Sequence, residues 1–275
     1  MLVACLGDVM LDVLVEVPGG LVPDDDTPAS IRLAAGGQAA NVATWVTHLG
    51  GEASVFGPTS GDGPAAMVMD ALRAHGVRSW GPGGGKVGTV VSVIDGNQRS
   101  LATDATSLDY LGAVHAGEWL RRADWLFVSG YALFRSQEPR LIVETAAVAR
   151  AMGTRVAIDL ASAAMIKRFG SDAFKSLCRQ LRPDAIFAND AERTAMGFDL
   201  AEFDATDLVL KHGPGGATFV IGGALERRAA PPGPVVDATG AGDALTAGYL
   251  LGGPDLAMEA AASCVGMHGG QPTRA

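Results

Sequence analysis

Short aliphatic and β-branched runs alternate along this chain with longer Ala- and Leu-rich ones, and few architectures accommodate that rhythm. LVACLG (2–7), ASVFG (53–57), DWLFVSG (124–130), RVAID (155–159), AIFAN (185–189), DLVLK (207–211) and ATFVIG (217–222) read as buried strands, several ending at Gly, Asp or Asn. Between them, QAANVATWVTHLG (38–50), PAAMVMDALRAHG (64–76), EPRLIVETAAVARAMG (138–153) and SDAFKSLCRQLR (171–182) read as helices that stop near Gly or Pro. That order predicts βαβ units and a doubly wound, mainly parallel α/β sheet flanked by helices. Ligands of such a sheet gather beyond the carboxyl ends of its strands.

Two stretches break the rhythm. VLVEVPGGLVPDDDTPASIRLAA (13–35) and KVGTVVSVIDGNQRSLATD (86–104) carry strand patterns and turns without intervening helices, and Asp95-Gly96 favours a tight hairpin. A small separate β-sheet is therefore expected from about residues 12–34 and 86–104, with the glycine cluster GPGGGKVG (81–88) as a hinge into it. With 275 residues, 48% of them apolar, one large domain over 1–275 can bury a full core, the small sheet being its appendage. No internal repeat or interdomain linker is evident.

Charge and cysteine usage narrow the function. A formal charge of −9 leaves no basic field for a polyanion, which argues against a nucleic-acid partner. An anionic ligand needs a local positive site instead. Cys5, Cys178 and Cys264 are odd in number, far apart and outside any CxxC pair, which suits a reducing cytosol. The apolar start MLVACLGDVMLDVLVEV lacks a basic region and is interrupted by Asp8 and Asp12, unlike a signal peptide. No uninterrupted apolar stretch is long enough to span a bilayer. The expectation is a cytoplasmic protein with no membrane partner.

Common nucleotide motifs fail. Around Gly85-Lys86 a phosphate-binding P-loop would need Gly where Trp80 stands and Ser or Thr where Val87 stands. The HRD and DFG signatures of protein kinases are absent. Gly61-Asp62-Gly63-Pro64-Ala65-Ala66 satisfies GxGxxA, but no Asp or Glu lies between Ala71 and Ile94, where a dinucleotide-binding site places its ribose acid. A dehydrogenase is thus disfavoured.

VVDATGAGDALTAGYL (235–250) carries the most chemistry. It reads as a strand ending at Val235-Val236, a turn-forming Asp-Ala-Thr-Gly, and then a helix N-terminus, whose unpaired N–H groups and positive dipole end attract phosphate. Asp243 stands in that first turn. As a dipole complement it is worth about 0.3–1 kcal/mol. As a base that takes a proton from an attacking alcohol while the bare N–H groups at Gly240, Ala241 and Gly242 stabilise the moving phosphoryl, it is worth about 10²–10⁴-fold in rate.

DATGAGD (237–243), followed by an apolar helix, resembles the C-terminal signature of PfkB-type carbohydrate kinases, the ribokinase-like family. Gly36-Gly37-Gln38-Ala39-Ala40-Asn41-Val42-Ala43 is similar to that family's N-terminal signature, and GDVMLD (7–12) and GPTSGDGPAAMVMDALRAHGV (57–77) also resemble family segments. The resemblance runs through nearly the whole chain. It implies a ribokinase-like α/β sheet with a small β-sheet lid, and transfer of the ATP γ-phosphoryl group to an alcohol. Asp243 would be the base and Gly240, Ala241 and Gly242 the anion hole. Asp12, Gly36, Gly37 and Asn41 would bind substrate hydroxyls, for which a carboxylate and an amide are apt partners. Asn189 and Glu192 resemble the family's NxxE element, which organises Mg2+ and phosphates, although Asn followed by Glu three residues later is also a capping box. Lys211, Gly213 and Gly216 match the nucleotide-binding TxGxxG turn, with Lys211 in place of Thr. Asp237 and Thr239 match positions that help bind K+ in some members. A homodimer through the lid is a further family expectation.

Several positions depart from the family pattern. Ala188 replaces the Pro before Asn189, Ala238 replaces a Thr, the segment from Glu192 to Lys211 is short, and Asp104-Ala105-Thr106 stands where Gly-Ala-Asn is expected. The reading is an ATP- and Mg2+-dependent kinase acting on a hydroxymethyl group of a small sugar. The alternatives are a nucleoside kinase, with Trp45, Trp80, Tyr131 or Phe134 as base stackers, and a non-catalytic sugar or nucleotide sensor on the same fold.

Overall fold

In β1 (Leu2–Leu6) successive side chains point to opposite sides, and both sides are covered: Val3 and Cys5 enter one apolar core, Ala4 and Leu6 another. The same split runs through β8 (Trp125–Ser129), with Trp125 and Phe127 against Leu126 and Val128, and through β10 (Ala185–Asn189), with Phe187 against Ile186 and Ala188. A sheet with two cores needs helices on both faces, hence the three layers of this computed structural model. It describes all residues except 58–60, 62, 82–85, 97, 106–112, 198–202, 204 and 274–275.

The main sheet has nine strands in the order β13-β12-β11-β10-β9-β8-β1-β4-β5. Besides those named, they are β4 (Glu52–Phe56), β5 (Arg78–Trp80), β9 (Arg155–Asp159), β11 (Asp207–Lys211), β12 (Ala217–Ile221) and β13 (Ala224–Arg228). Pairing is parallel from β5 to β11 and antiparallel for β12 and β13. The seven strands of the alternation all form, giving the doubly wound, mainly parallel sheet that the sequence pattern predicts, whereas Val235-Val236, expected to end a strand, is exposed and joins neither sheet. The edge strands β5 and β13 were not expected: the first has three residues and the second reads ALERR, too polar to signal a strand.

Helices α1 (Gln38–His48), α2 (Gly63–Ala74) and α9 (Ala241–Val265) cover one face. The other carries α3 (Ala113–Trp119), α4 (Gly130–Arg135), α5 (Pro139–Ala151), α6 (Ala163–Phe169), α7 (Ser171–Leu181) and α8 (Asp190–Met196). Helix α5 starts with Pro139 in its first turn, and α7 ends at Arg182 in a left-handed conformation (φ 49°) before Pro183. Helices α4 and α6 have six and seven residues, too few for a readable period. Each is started by a serine cap: Ser129 Oγ accepts from Tyr131 N at 3.2 Å, and Ser162 Oγ from Met165 N at 3.3 Å.

The irregular stretches form a second sheet, β3-β2-β6-β7, from β2 (Met10–Glu16), β3 (Ser30–Gly36), β6 (Gly88–Asp95) and β7 (Gln98–Asp104). Its strands begin at residue 10 and end at 36 where 12–34 was expected. Asp95 pairs with Gln98 and Gly96 has φ 55°, so the chain reverses tightly where expected, with Asp95 as the last strand residue rather than within the turn. Of the hinge cluster 81–88, residues 82–85 lie outside the described set.

Parallel register sets the polar ends of the strands side by side. Ser129 pairs with Asp159, and Asn189 with Lys211, so the last residues of β8, β9, β10 and β11 share one rim of the sheet.

Candidate active site

The α9 N-terminus is built by its own sequence. Asp237 Oδ1 accepts from Thr239 N at 2.8 Å in an Asx turn, and Gly240 (φ 77°) caps the helix where a side chain would run into the Gly270 backbone. No side chain caps this helix. Ala241 N lies 3.3 Å from Ala238 O, whereas Gly242 and Asp243, the next two residues, have no carbonyl behind them within the helix. The result is a bare helix start aimed at the strand ends.

Asp243 stands over it. Its Oδ2 accepts from Asn41 Nδ2 at 2.8 Å, and its carboxylate is also hydrogen-bonded to Gln38. Gln38 and Asn41 lie one turn apart on α1, and Gln38 Oε1 accepts from Ser129 Oγ, which leaves its amide group to donate to Asp243. Burial pushes the Asp243 carboxyl up to about 7, Asp159 adds to the rise, and Asn41, Lys211 and Gln38 oppose it. Asn41 Oδ1 is buried without a partner, an open acceptor beside the Asp243 carboxylate.

Gly36 leaves room for Asp12 just ahead of α1. The Asp12 carboxylate lies directly against Gly36, where a Cβ would overlap it. Gly37 adopts φ 92° as the N-cap of α1, with the Asp8 carbonyl in the space a side chain would take. Asp8 itself forms a buried ion pair with Arg135 Nη1 at 2.5 Å, and the Arg135 guanidinium lies 4.6 Å from the Tyr131 ring centre.

Lys211 ends β11 with only 13% of its side chain exposed. Its Nζ lies 2.5 Å from Asp159 Oδ2 and 3.3 Å from where a Cβ on Gly242 would stand, so the ammonium sits at the start of α9. Gly213 to Gly215 form a single 3₁₀ turn closed by Gly215 N on His212 O and Gly216 N on Gly213 O, each at 3.0 Å. Asn189 and Glu192 make a full capping box: Glu192 N donates to Asn189 Oδ1 at 2.9 Å, while Glu192 Oε2 and Oε1 take Asn189 N at 2.8 Å and Nδ2 at 2.7 Å. Burial, with Asp159 nearby, raises Glu192 to about 7 against the pull of Lys211. Both of its oxygens are thus engaged. Among the described residues no three His, Cys, Asp or Glu side chains converge to hold a metal. Asp237 Oδ2 takes Gly269 N at 3.0 Å, fastening the 237–239 turn to the chain beyond α9. A cleft of ≈ 710 Å³ separates that turn from the Val17–Gly19 and Ile94–Gly96 end of the second sheet.

Other expected residues fall elsewhere. Trp45 is fully buried and donates its indole N–H to Gly270 O at 3.0 Å, and Phe134 packs against Phe169 and Phe174. Trp80 lines a small cavity with Arg78 and Trp119 at the far sheet edge. Of the four candidate stackers only Tyr131 borders the polar rim. Thr106, in the departure at 104–106, lies outside the described residues. Gln38, Ser129, Asp159 and Thr246 were not foreseen; the one available signal was their place at the ends of predicted strands or inside the two glycine motifs.

This fold, with an uncapped helix start beside the strand ends, is that of an α/β phosphotransferase. The chain belongs to the pfkB family of carbohydrate kinases, whose family model matches residues 1–253. It is 28% identical over 262 residues to a 1-phosphofructokinase from Rhodobacter capsulatus, covering 87% of this chain and 79% of the relative. It is 27% identical over 269 residues to an ATP-dependent ribose-1-phosphate kinase from Halopiger xanaduensis, covering 91% and 86%. Its fold matches the crystal structure of a probable sugar kinase from Rhizobium etli with a TM-score of 0.85 at 22% identity, covering 99% of this chain and 95% of that one. No helix among the described residues is long and apolar enough to cross a membrane.

Proposed function

We propose that this protein transfers the γ-phosphoryl group of ATP to a hydroxymethyl group of a small sugar. One observation carries the reading: Asp243, its pKa raised to about 7, hangs between two amide donors beside an uncapped helix start. A base poised near neutrality takes a proton with the best compromise between being ionised and being basic. The N–H groups of Gly242 and Asp243 receive the phosphoryl oxygens, and Gly240, Ala241 and Gly242 keep side chains out of their way.

Asp12, Gly36, Gly37 and Asn41 bind the sugar, with the open Asn41 Oδ1 accepting from a hydroxyl. Lys211 and the turn bounded by Gly213 and Gly216 bind the nucleotide. Asn189 and Glu192 would organise Mg2+ through water, since both Glu192 oxygens are already bonded, and the ion would supply positive charge to the nucleotide phosphates. K+ near Asp237 and Thr239 would brace the turn that leads into the anion hole. Residues 1–275 act as one unit with the second sheet as a lid, whose closure excludes water and suppresses ATP hydrolysis. Its exposed Ile31 and Leu33 support a homodimer through that sheet. The site of action is the cytoplasm.

The names of both sequence relatives specify phosphorylated sugars, so the decisive assay follows ATP consumption against free pentoses and hexoses, their monophosphates, and nucleosides. Turnover with a sugar or sugar phosphate is expected, and Asp243→Ala is expected to fold and bind ATP yet lose at least about 10²-fold in kcat. Ligand binding without turnover across the panel, or near-normal kcat in that variant, overturns the reading.

A further inference from the structure

Asp159 is fully buried at the end of β9, and its two oxygens are spent on three different elements. Oδ1 accepts from Ala161 N at 3.1 Å in the loop that follows. Oδ2 accepts from Lys211 Nζ at 2.5 Å and lies 3.3 Å from Thr246 Oγ1 on α9. Thr246 Oγ1 also lies 2.9 Å from Gly242 O, so the same hydroxyl is tied to the first turn of the helix. Strand, lysine and helix start are thereby locked into one unit. An ion pair needed only for folding could sit anywhere under the sheet; this one holds its ammonium 3.3 Å from where a Cβ on Gly242 would stand, in the first turn of α9.

We propose that Asp159 is a positioning residue for phosphoryl transfer: it fixes Lys211 at the start of α9, where the ammonium meets the transferring group, and sets a second carboxylate near Asp243. The proposal rests on Asp243 being the base. In the transfer, the acceptor O–H proton passes to Asp243 as the new O–P bond forms, and the bond from the γ-phosphorus to its bridging oxygen breaks as ADP leaves. Lys211 and Asp159 exchange no proton. A lysine this buried resists losing its proton only while acids surround it: burial works against the charge, and Asp159, Glu192 and Asp243 more than compensate.

The charged groups around Asp243 give the proposal a signature of opposite signs. Asp159 from β9 raises its pKa and Lys211 from β11 lowers it. From α1 it meets the neutral amides of Asn41 and Gln38, and from its own helix the Cys264 thiol, pushed up to about 12 chiefly by burial and therefore neutral. Glu192 on α8 interacts with Asp159 and Lys211.

The test is a carbon-13 carboxyl titration of Asp243 in the free protein, together with kcat and KM for ATP, in Asp159→Asn, Lys211→Met and the double variant. Asp159→Asn is expected to move the Asp243 midpoint to lower pH and Lys211→Met to move it higher. Each is expected to lower kcat at least about tenfold with a much smaller change in KM, and the double variant to lose no more than Lys211→Met alone, because one residue acts through the other. Wild-type kcat in Asp159→Asn, fully additive losses, or midpoint shifts of the same sign overturn the proposal. Should Asp159→Asn not fold, the neutral double variant replaces it, since removing both charges of a buried pair is far less disruptive than removing one; wild-type kcat there overturns the proposal equally. If no acceptor is turned over by the wild type, the kinase reading fails, and the titration of the free protein still decides what Asp159 does.

Discussion

Asp243 occupies a position where burial and a neighbouring carboxylate both oppose its charge, so its place in the fold carries a cost in stability. Its folded-state pKa of about 7 lies above its ordinary value of 3.8. Between those values the folded chain binds more protons than the unfolded one, so stability contributed by this group is present at low pH and lost as pH rises toward 7. Glu192, raised to about 7, and Asp8, raised to about 6 chiefly by burial against the pull of Arg135, act in the same direction. Asp243→Asn is accordingly expected to melt at least about 2 °C above the wild type at pH 8 and to lose that advantage at pH 4; scanning calorimetry at the two values checks this. The same pKa sets an activity limb: kcat/KM is expected to rise with pH through about 7 as the base ionises, measured with a saturating, pH-insensitive coupling assay.

Helix starts and strand ends carry most of the site, and they differ in how plainly the sequence announces them. The 237–243 turn is legible because every part is local: Asp237 bonds Thr239 two residues on, Gly240 supplies the left-handed cap, and the helix begins at once. The capping box of Asn189 and Glu192 is legible for the same reason. Asn189→Ala removes the acceptor for Glu192 N and leaves a buried carboxylate short of a donor, and is expected to cost about 1–2 kcal/mol, read from urea denaturation. Gly37→Ala combines a positive φ with a collision against the Asp8 carbonyl. It is expected to destabilise by about 1–3 kcal/mol and to raise KM for the acceptor more than KM for ATP. By contrast, Asp159 and Ser129 are marked in sequence only by standing at the ends of predicted strands, and Gln38 only by lying in the first glycine motif. Their significance comes from strand register, which sets Ser129 beside Asp159 and Asn189 beside Lys211. The candidate stackers show the same limit from the other side, since Trp45 and Phe134 satisfy an aromatic pattern equally well as core.

Across the whole molecule, two bodies of sheet meet at one cleft, and the chain passes between them at Gly36 and Gly37 on its way from β3 to α1. Closure of the second sheet over bound sugar and a non-hydrolysable ATP analogue is expected to slow amide hydrogen exchange in β2, β3 and β6 while leaving β8 to β10 unchanged; uniform behaviour of both sheets would contradict a lid. Ile31 and Leu33 are 63% and 50% exposed on β3, and Leu33→Glu is expected to shift a dimer to monomer in sedimentation velocity. The amino-acid sequence by itself determined the doubly wound sheet, the separate small one, and the two glycine motifs, because hydrophobic period, turn chemistry and helix capping act over a few residues. Only the tertiary structure decided that Asn41 and Gln38 hold Asp243, that Lys211 lies at the start of α9, and that Asp159 and Thr246 keep it there. Those contacts join residues as many as 202 positions apart. They exist because parallel pairing aligns strand ends and packing against a twisted sheet sets where each helix begins.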